Sequence, residues 1–206
     1  LWQGAERLAE AHARLIVPAA AQVLGGISGA QVEHLGAALD DRNAEYREAY
    51  LNPDPRERDV ERVARYAARV ERWTGRLSPA QEELVEAAVR RMPDIAGDWL
   101  RYRERQQQRL LELLREDPDS RMLEGFLVAW WVDGAGREPA LVDAYPRMRA
   151  GWIEMLVALD STLDARQRAR VVARIARLRD DMAGAVDGEV AVASSTRTGL
   201  SCSASL

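Results

Sequence analysis

Few residues in this chain could do chemistry, and their spacing argues against most of the reactions they could serve. A metal centre in a helical protein needs ligands one turn apart, typically a Glu three residues before a His. Neither histidine meets this: Ala9 stands three residues before His12, and Gln31 three before His34. A Cys/His nucleophile is equally unsupported. The one cysteine, Cys202, lies in a Ser-, Ala- and Thr-rich end where nothing would activate its thiol or orient a base. No Walker loop, no Rossmann glycine pattern and no Gly-x-Ser-x-Gly elbow occurs. Carboxylates are plentiful, but nearly all have an arginine nearby. We therefore expect no catalytic residue, no metal and no cofactor.

What remains is the chemistry of contact. Arg166, Arg170, Arg174 and Arg177 recur along one flank of the last expected helix, where guanidinium groups could meet phosphate, carboxylate or anionic lipid headgroups. Trp130 and Trp131 are adjacent, and neighbouring helical positions diverge by about 100 degrees, so the two rings cannot share one burial direction equally. A helix buried on two sides would hold both; otherwise one ring faces a partner. All 29 basic residues are arginine, yet the formal charge is -4 with the signs interleaved. A nucleic-acid binder would instead show a basic stripe, so no nucleic-acid partner is expected.

The elements that must position these residues are helices. One device punctuates the 206 residues: a hydrophobic residue, a cap, two small or helix-starting residues and Gln. It is clearest at Leu77-Ser78-Pro79-Ala80-Gln81, after the permissive Gly75, where Ser78 and Gln81 can form a capping box. Echoes occur at Ile27-Ser28-Gly29-Ala30-Gln31 and Leu163-Asp164-Ala165-Arg166-Gln167. The pattern predicts an all-α multi-helix bundle of about eight amphipathic helices in successive antiparallel hairpins. It further predicts a single helical domain over residues 1–186 and a flexible Ser/Ala-rich tail over 187–206.

Within that frame the first helix should turn Leu8, Ala11, Leu15, Ile16, Ala19 and Val23 inward, with a kink at Pro18. The third has a narrow seam of Val60, Val63, Ala67 and Val70. The run Gln106-Gln107-Gln108 points in three directions, so most of it should be solvated. Pro146 should interrupt the helix that Pro139 begins, and the last helix, from Asp164 to about Val186, carries Val171, Ile175, Leu178 and Met182 as its seam.

The longest apolar run, Phe126 to Val132, is far too short to span a bilayer, and no signal peptide is visible. Because the sequence opens at Leu1 without an initiator Met, we expect a fragment or processed form.

Several segments resemble a family of proteobacterial envelope lipoproteins known only as a domain of unknown function. They are Asn43-Ala44-Glu45-Tyr46-Arg47-Glu48 with Tyr50-Leu51, and Arg69-Val70-Glu71-Arg72-Trp73 with Gly75, Leu77 and Gln81. Further along the chain come Trp99-Leu100, Arg103-Glu104-Arg105-Gln106-Gln107 and Leu110-Leu111, then Ser161-Thr162 with Gln167-Arg168. The resemblance implies a periplasmic, outer-membrane-associated helical protein whose full-length form is lipid-anchored, and it supplies no activity. The Leu-Ser-Pro-Ala-Gln joint is also similar to the Leu-Thr-x-x-Gln turns of small periplasmic helical chaperones. The resulting expectation is a non-enzymatic interaction or scaffolding protein that contacts an envelope protein or anionic lipid surface through Trp130, Trp131 and the Arg166 to Arg177 flank. The alternatives are a chaperone-like binder of unfolded envelope clients and a hydrolase or metal enzyme with a carboxylate-based site.

Overall fold

Several helices begin where a side-chain acceptor meets orphan backbone N–H groups. Ser28 Oγ accepts from Gln31 N while Gln31 Oε1 accepts from Ser28 N, a complete capping box. Ser78 with Gln81 and Asp164 with Gln167 repeat it. Asp54 accepts from Arg56 N, and Asp119 from Met122 N. Gly75, at φ 80°, closes a helix by donating its N–H to Glu71 O at 2.8 Å, a left-handed cap that a side chain would strain.

The computed structural model describes residues 2–51 and 53–180; the expected tail, with Cys202, and Met182 lie outside the described residues. The helices are α1 (Trp2–Gly25), α2 (Gly29–Tyr50), α3 (Pro55–Thr74), α4 (Pro79–Arg91), α5 (Ala96–Arg115), α6 (Ser120–Leu127), α7 (Pro139–Asp160) and α8 (165–180). The fold is all-α, and no strand occurs among the described residues. None of these helices is long and apolar enough to cross a membrane. Beyond α6, Val128–Val132 forms a π-turn, in which Asp133 N donates to Val128 O at 3.0 Å across five residues. Pro146 does not interrupt α7, which runs through it, as α1 runs through Pro18.

The chain packs as two units. In the first, Leu1–Arg62 with Val89–Ile153, the most extensive pairings are α1 with α6 and α2 with α5. Both pairs are antiparallel: Glu33 meets Arg115 near one end of α2 and Arg47 meets Glu104 nearer the other, while Gly25 faces Leu123 and Arg14 reaches Asp133. These pairs are nested along the chain, with α1 to α6 enclosing α2 to α5. Between them sits a core of Val17, Ala21, Val32, Leu110, Leu114, Leu123 and Leu127.

That core corrects the expected inward face of α1. Val17 and Ala21 are buried with Ala20 and Leu24 beside them, whereas Leu8, Leu15, Ile16 and Val23 are exposed, Leu15 by 72%. This is the face that meets α6, where the two helices run close enough that a Cβ at Gly25 would touch Leu123. In α3, Val60 is likewise exposed. Of the three glutamines only Gln108 is exposed; Gln106 and Gln107 are buried, with Ala135 O accepting from Gln106 Nε2 and Asn43 Nδ2 donating to Gln107 Oε1.

In the second unit, Val63–Ala88 with Glu154 onward, the buried residues are Val70, Thr74, Leu77, Gln81, Val85, Ala88, Met155, Leu159 and Gln167. The α8 seam is less buried than expected, with Ile175 and Leu178 exposed.

Candidate functional site

Two buried amide clusters organise the chain's polar chemistry, one in each unit. In the second unit the capping-box glutamines of α4 and α8 face each other. Gln81 Nε2 donates to Gln167 Oε1 and Gln167 Nε2 to Gln81 Oε1, both at 3.0 Å. Gln81 also donates to Thr162 O at 3.1 Å, and Gln167 to Arg76 O at 2.9 Å. Each amide therefore caps its own helix with its oxygen and ties the opposite joint with its nitrogen. This is a structural clasp, and its polar atoms are spent on the fold.

The first unit's cluster differs. Arg103, on α5, donates from Nε and Nη2 to Asn43 Oδ1 at 2.9 and 2.6 Å, and from Nη2 to Arg42 O at 3.0 Å. Asn43, on α2 and 4% exposed, donates from Nδ2 to Gln107 Oε1 at 2.7 Å. The guanidinium plane lies over the Tyr46 ring at 5.2 Å, and Tyr46 stacks on Tyr50 with centroids 4.5 Å apart. Helical spacing explains the grouping: residues 42, 43, 46 and 50 recur every three or four positions on α2, facing 103 and 107 on α5.

A groove of about 490 Å³ opens over this cluster. Arg42, Glu45, Tyr46, Ala49, Tyr50, Arg103 and Gln107 line it. Gln107 also borders a second cavity of about 280 Å³ with Asn43, Glu104 and Leu39. The groove's one carboxylate, Glu45, is bonded to Arg42 at 2.8 Å. Glu104 pairs with Arg47 at 2.6 Å. The arrangement offers stacked aromatic surface, cationic donors and an amide floor, which is equipment for holding a ligand.

The residues singled out in the sequence fall elsewhere. Trp130 is half-buried against the first unit's core, edge-on to Phe126 at 5.8 Å, and its carbonyl accepts from the Tyr102 hydroxyl. Trp131 is 43% exposed. The two rings therefore divide between core and surface. In the second unit, Arg174 donates to Arg72 O at 2.5 Å and lies over the Trp73 ring at 5.3 Å. Arg170 covers Gly75, where a Cβ would collide with its guanidinium. Both thus finish the C-terminus of α3, as cations at a helix end do. All four arginines are exposed, and Arg177 donates to Ala173 O. Sequence alone does not single out the groove. Its one advance signal is that the segments around Asn43 to Tyr50 and Arg103 to Gln107 carry the family resemblance.

No curated protein and no solved structure matches the chain. A family model described as a family of unknown function, DUF6279, matches residues 3–129, which include every residue lining the groove and exclude Trp130, Trp131 and the α8 arginines. That match spans more than half of the sequence, and the chain belongs to the DUF6279 family.

Proposed function

We propose that this chain is a non-enzymatic interaction or scaffolding protein of the bacterial envelope, and that the α2/α5 groove is where it holds its partner. The observation that carries the reading is the Gln107 amide. It is 7% exposed, it borders the groove, and its Nε2 has no protein partner among the described residues. An amide donor on a largely buried side chain, without a protein partner beside a cleft, can be met by a ligand in place of water. Glu45 in the groove and Glu104 in the adjoining cavity are each held by a guanidinium, which favours binding over proton transfer. The periplasmic, outer-membrane-associated address and the lipid anchor rest on the resemblance to envelope lipoproteins. Trp131 in the first unit and, separately, the exposed Arg166, Arg170, Arg174 and Arg177 in the second are further candidate contacts for an envelope protein or anionic lipid.

The test is photocrosslinking in envelope membranes with the full-length protein. A photoreactive residue at Ala49 in the groove is expected to capture a discrete partner that one at the exposed Gly125 does not. Identical adducts from both positions, or none from either, would overturn the reading.

One observation favours a second reading, a chaperone-like binder of unfolded envelope clients. Leu8, Leu15, Ile16 and Val23 leave an apolar stripe exposed along α1. In an aggregation-suppression assay with a denatured client, Leu15→Glu with Val23→Glu should abolish protection if this reading holds, and protection unchanged by the pair would remove it.

A further inference from the structure

We infer that the α2/α5 groove receives a carboxylate carried on an aromatic or apolar body, with the Gln107 amide and the Arg42 and Arg103 guanidinium groups as its donors. This rests on the groove being the contact site. It goes further by naming the chemistry of the occupant.

The argument starts from a one-way network. A guanidinium only donates, so the Asn43 oxygen must face Arg103, which reaches it twice. That orientation turns Asn43 Nδ2 toward Gln107, and the 2.7 Å contact then requires the Gln107 oxygen. The Gln107 Nε2 group is left over by elimination. Its orientation is dictated by the partners and needs no separate assignment.

The groove's charge supplies the next step. It presents two guanidinium groups against one carboxylate, in a protein whose formal charge is -4. Arg42 engages Glu45 through Nη1 alone, and Arg103 uses Nε and Nη2 on Asn43 and the Arg42 carbonyl. Donors outnumber acceptors in this lining, a balance that suits an occupant that is both an acceptor and an anion. One net positive charge suits a single carboxylate better than a doubly charged phosphate, and two planar oxygens match a guanidinium edge plus an amide N–H. The stacked Tyr46 and Tyr50 rings provide a flat wall for the body that carries it.

Such a carboxylate could end a polypeptide or belong to a free small acid, and the experiment separates these sources. Titrations of the full chain, monitored by calorimetry, would use N-acetyl-phenylalanine and a hexapeptide ending in phenylalanine, each as free acid and as amide. The acids are expected to bind about tenfold or more tightly than the amides. Binding of the peptide acid alone assigns a chain terminus, and binding of both acids assigns a small ligand.

Asn43→Asp is the diagnostic variant. It keeps an acceptor for Arg103 while drawing the Gln107 amide nitrogen toward position 43, so the preference for acid over amide should vanish in a protein that still unfolds cooperatively. Should that variant fail to fold, Tyr50→Ala, at the groove's rim, is expected to weaken the acid about fivefold or more through lost stacking area. Equal affinity for acid and amide, or no binding of either, would overturn the carboxylate assignment. In that event discrete crosslinks at Ala49 would still support the groove as a contact site, so the two ideas fail separately.

Discussion

Gln81 and Gln31 occupy the same place in the same five-residue device, but only Gln81 is clasped, and replacing each by Ala should separate cap from clasp. Among the described residues the Gln31 side chain bonds only to Ser28 N, on an exposed surface. Its loss should cost about 0.5–1 kcal/mol, the ordinary worth of an exposed cap. Gln81 meets Ser78 N, Thr162 O and both halves of Gln167, and it is 3% exposed. Taking about 1 kcal/mol net for each well-placed bond and discounting for the partners Gln167 retains in Asp164 N and Arg76 O, Gln81→Ala should cost about 3 kcal/mol. The two reciprocal bonds to Gln167 predict a coupling of about 1–2 kcal/mol in a double-mutant cycle with Gln167→Ala. Urea unfolding at equilibrium, with midpoints compared at constant m-value, measures all of these. The reasoning fails if Gln81→Ala costs no more than Gln31→Ala, or if the two clasp substitutions add within about 0.5 kcal/mol.

Three other substitutions test separate pieces of the packing. Gly75→Ala should destabilise by about 1–3 kcal/mol from its left-handed backbone and the Arg170 collision, and adding Arg170→Ala should recover only the collision, as read by thermal unfolding. Trp130→Ala should cost about 2–4 kcal/mol and Trp131→Ala about 0.5 kcal/mol or less, because only the first packs on the core; chemical denaturation distinguishes them. Arg174→Ala should alter Trp73 fluorescence and cost about 1 kcal/mol, since it removes both a bond to Arg72 O and a cation held over the indole.

The punctuation of the helices is legible from sequence because capping is local. Ser78, Gln81, Asp164, Gln167 and Gly75 each act on backbone within a few residues, so their roles can be read without knowing what packs where. Which face turns inward depends on the partner, and there local reading is weaker. Along α1 the larger apolar residues advertise one face, but the face that meets α6 carries Val17, Ala20 and Ala21. Gln106 and Gln107 defeat the expectation of solvation for a similar reason. Burial of an amide depends on partners such as Ala135 O and Asn43, which lie 29 and 64 residues away in the chain. The groove shares this opacity, since its donors are identified only once the Arg103 to Asn43 to Gln107 order is known.

The π-turn at Val128–Val132 holds one residue more than an α-helical turn would, and that surplus is slack. Excising a residue there would leave an ordinary turn with the residues beyond it close to their present phase, whereas excision in α5 ahead of Tyr102 would rotate Tyr102, Gln106 and Leu110 by about 100 degrees each relative to the residues before the cut. A one-residue change in length therefore has a natural place to be absorbed: immediately after α6, in the turn that holds Trp130 and Trp131, where the residue matched last by the family, Ala129, also lies.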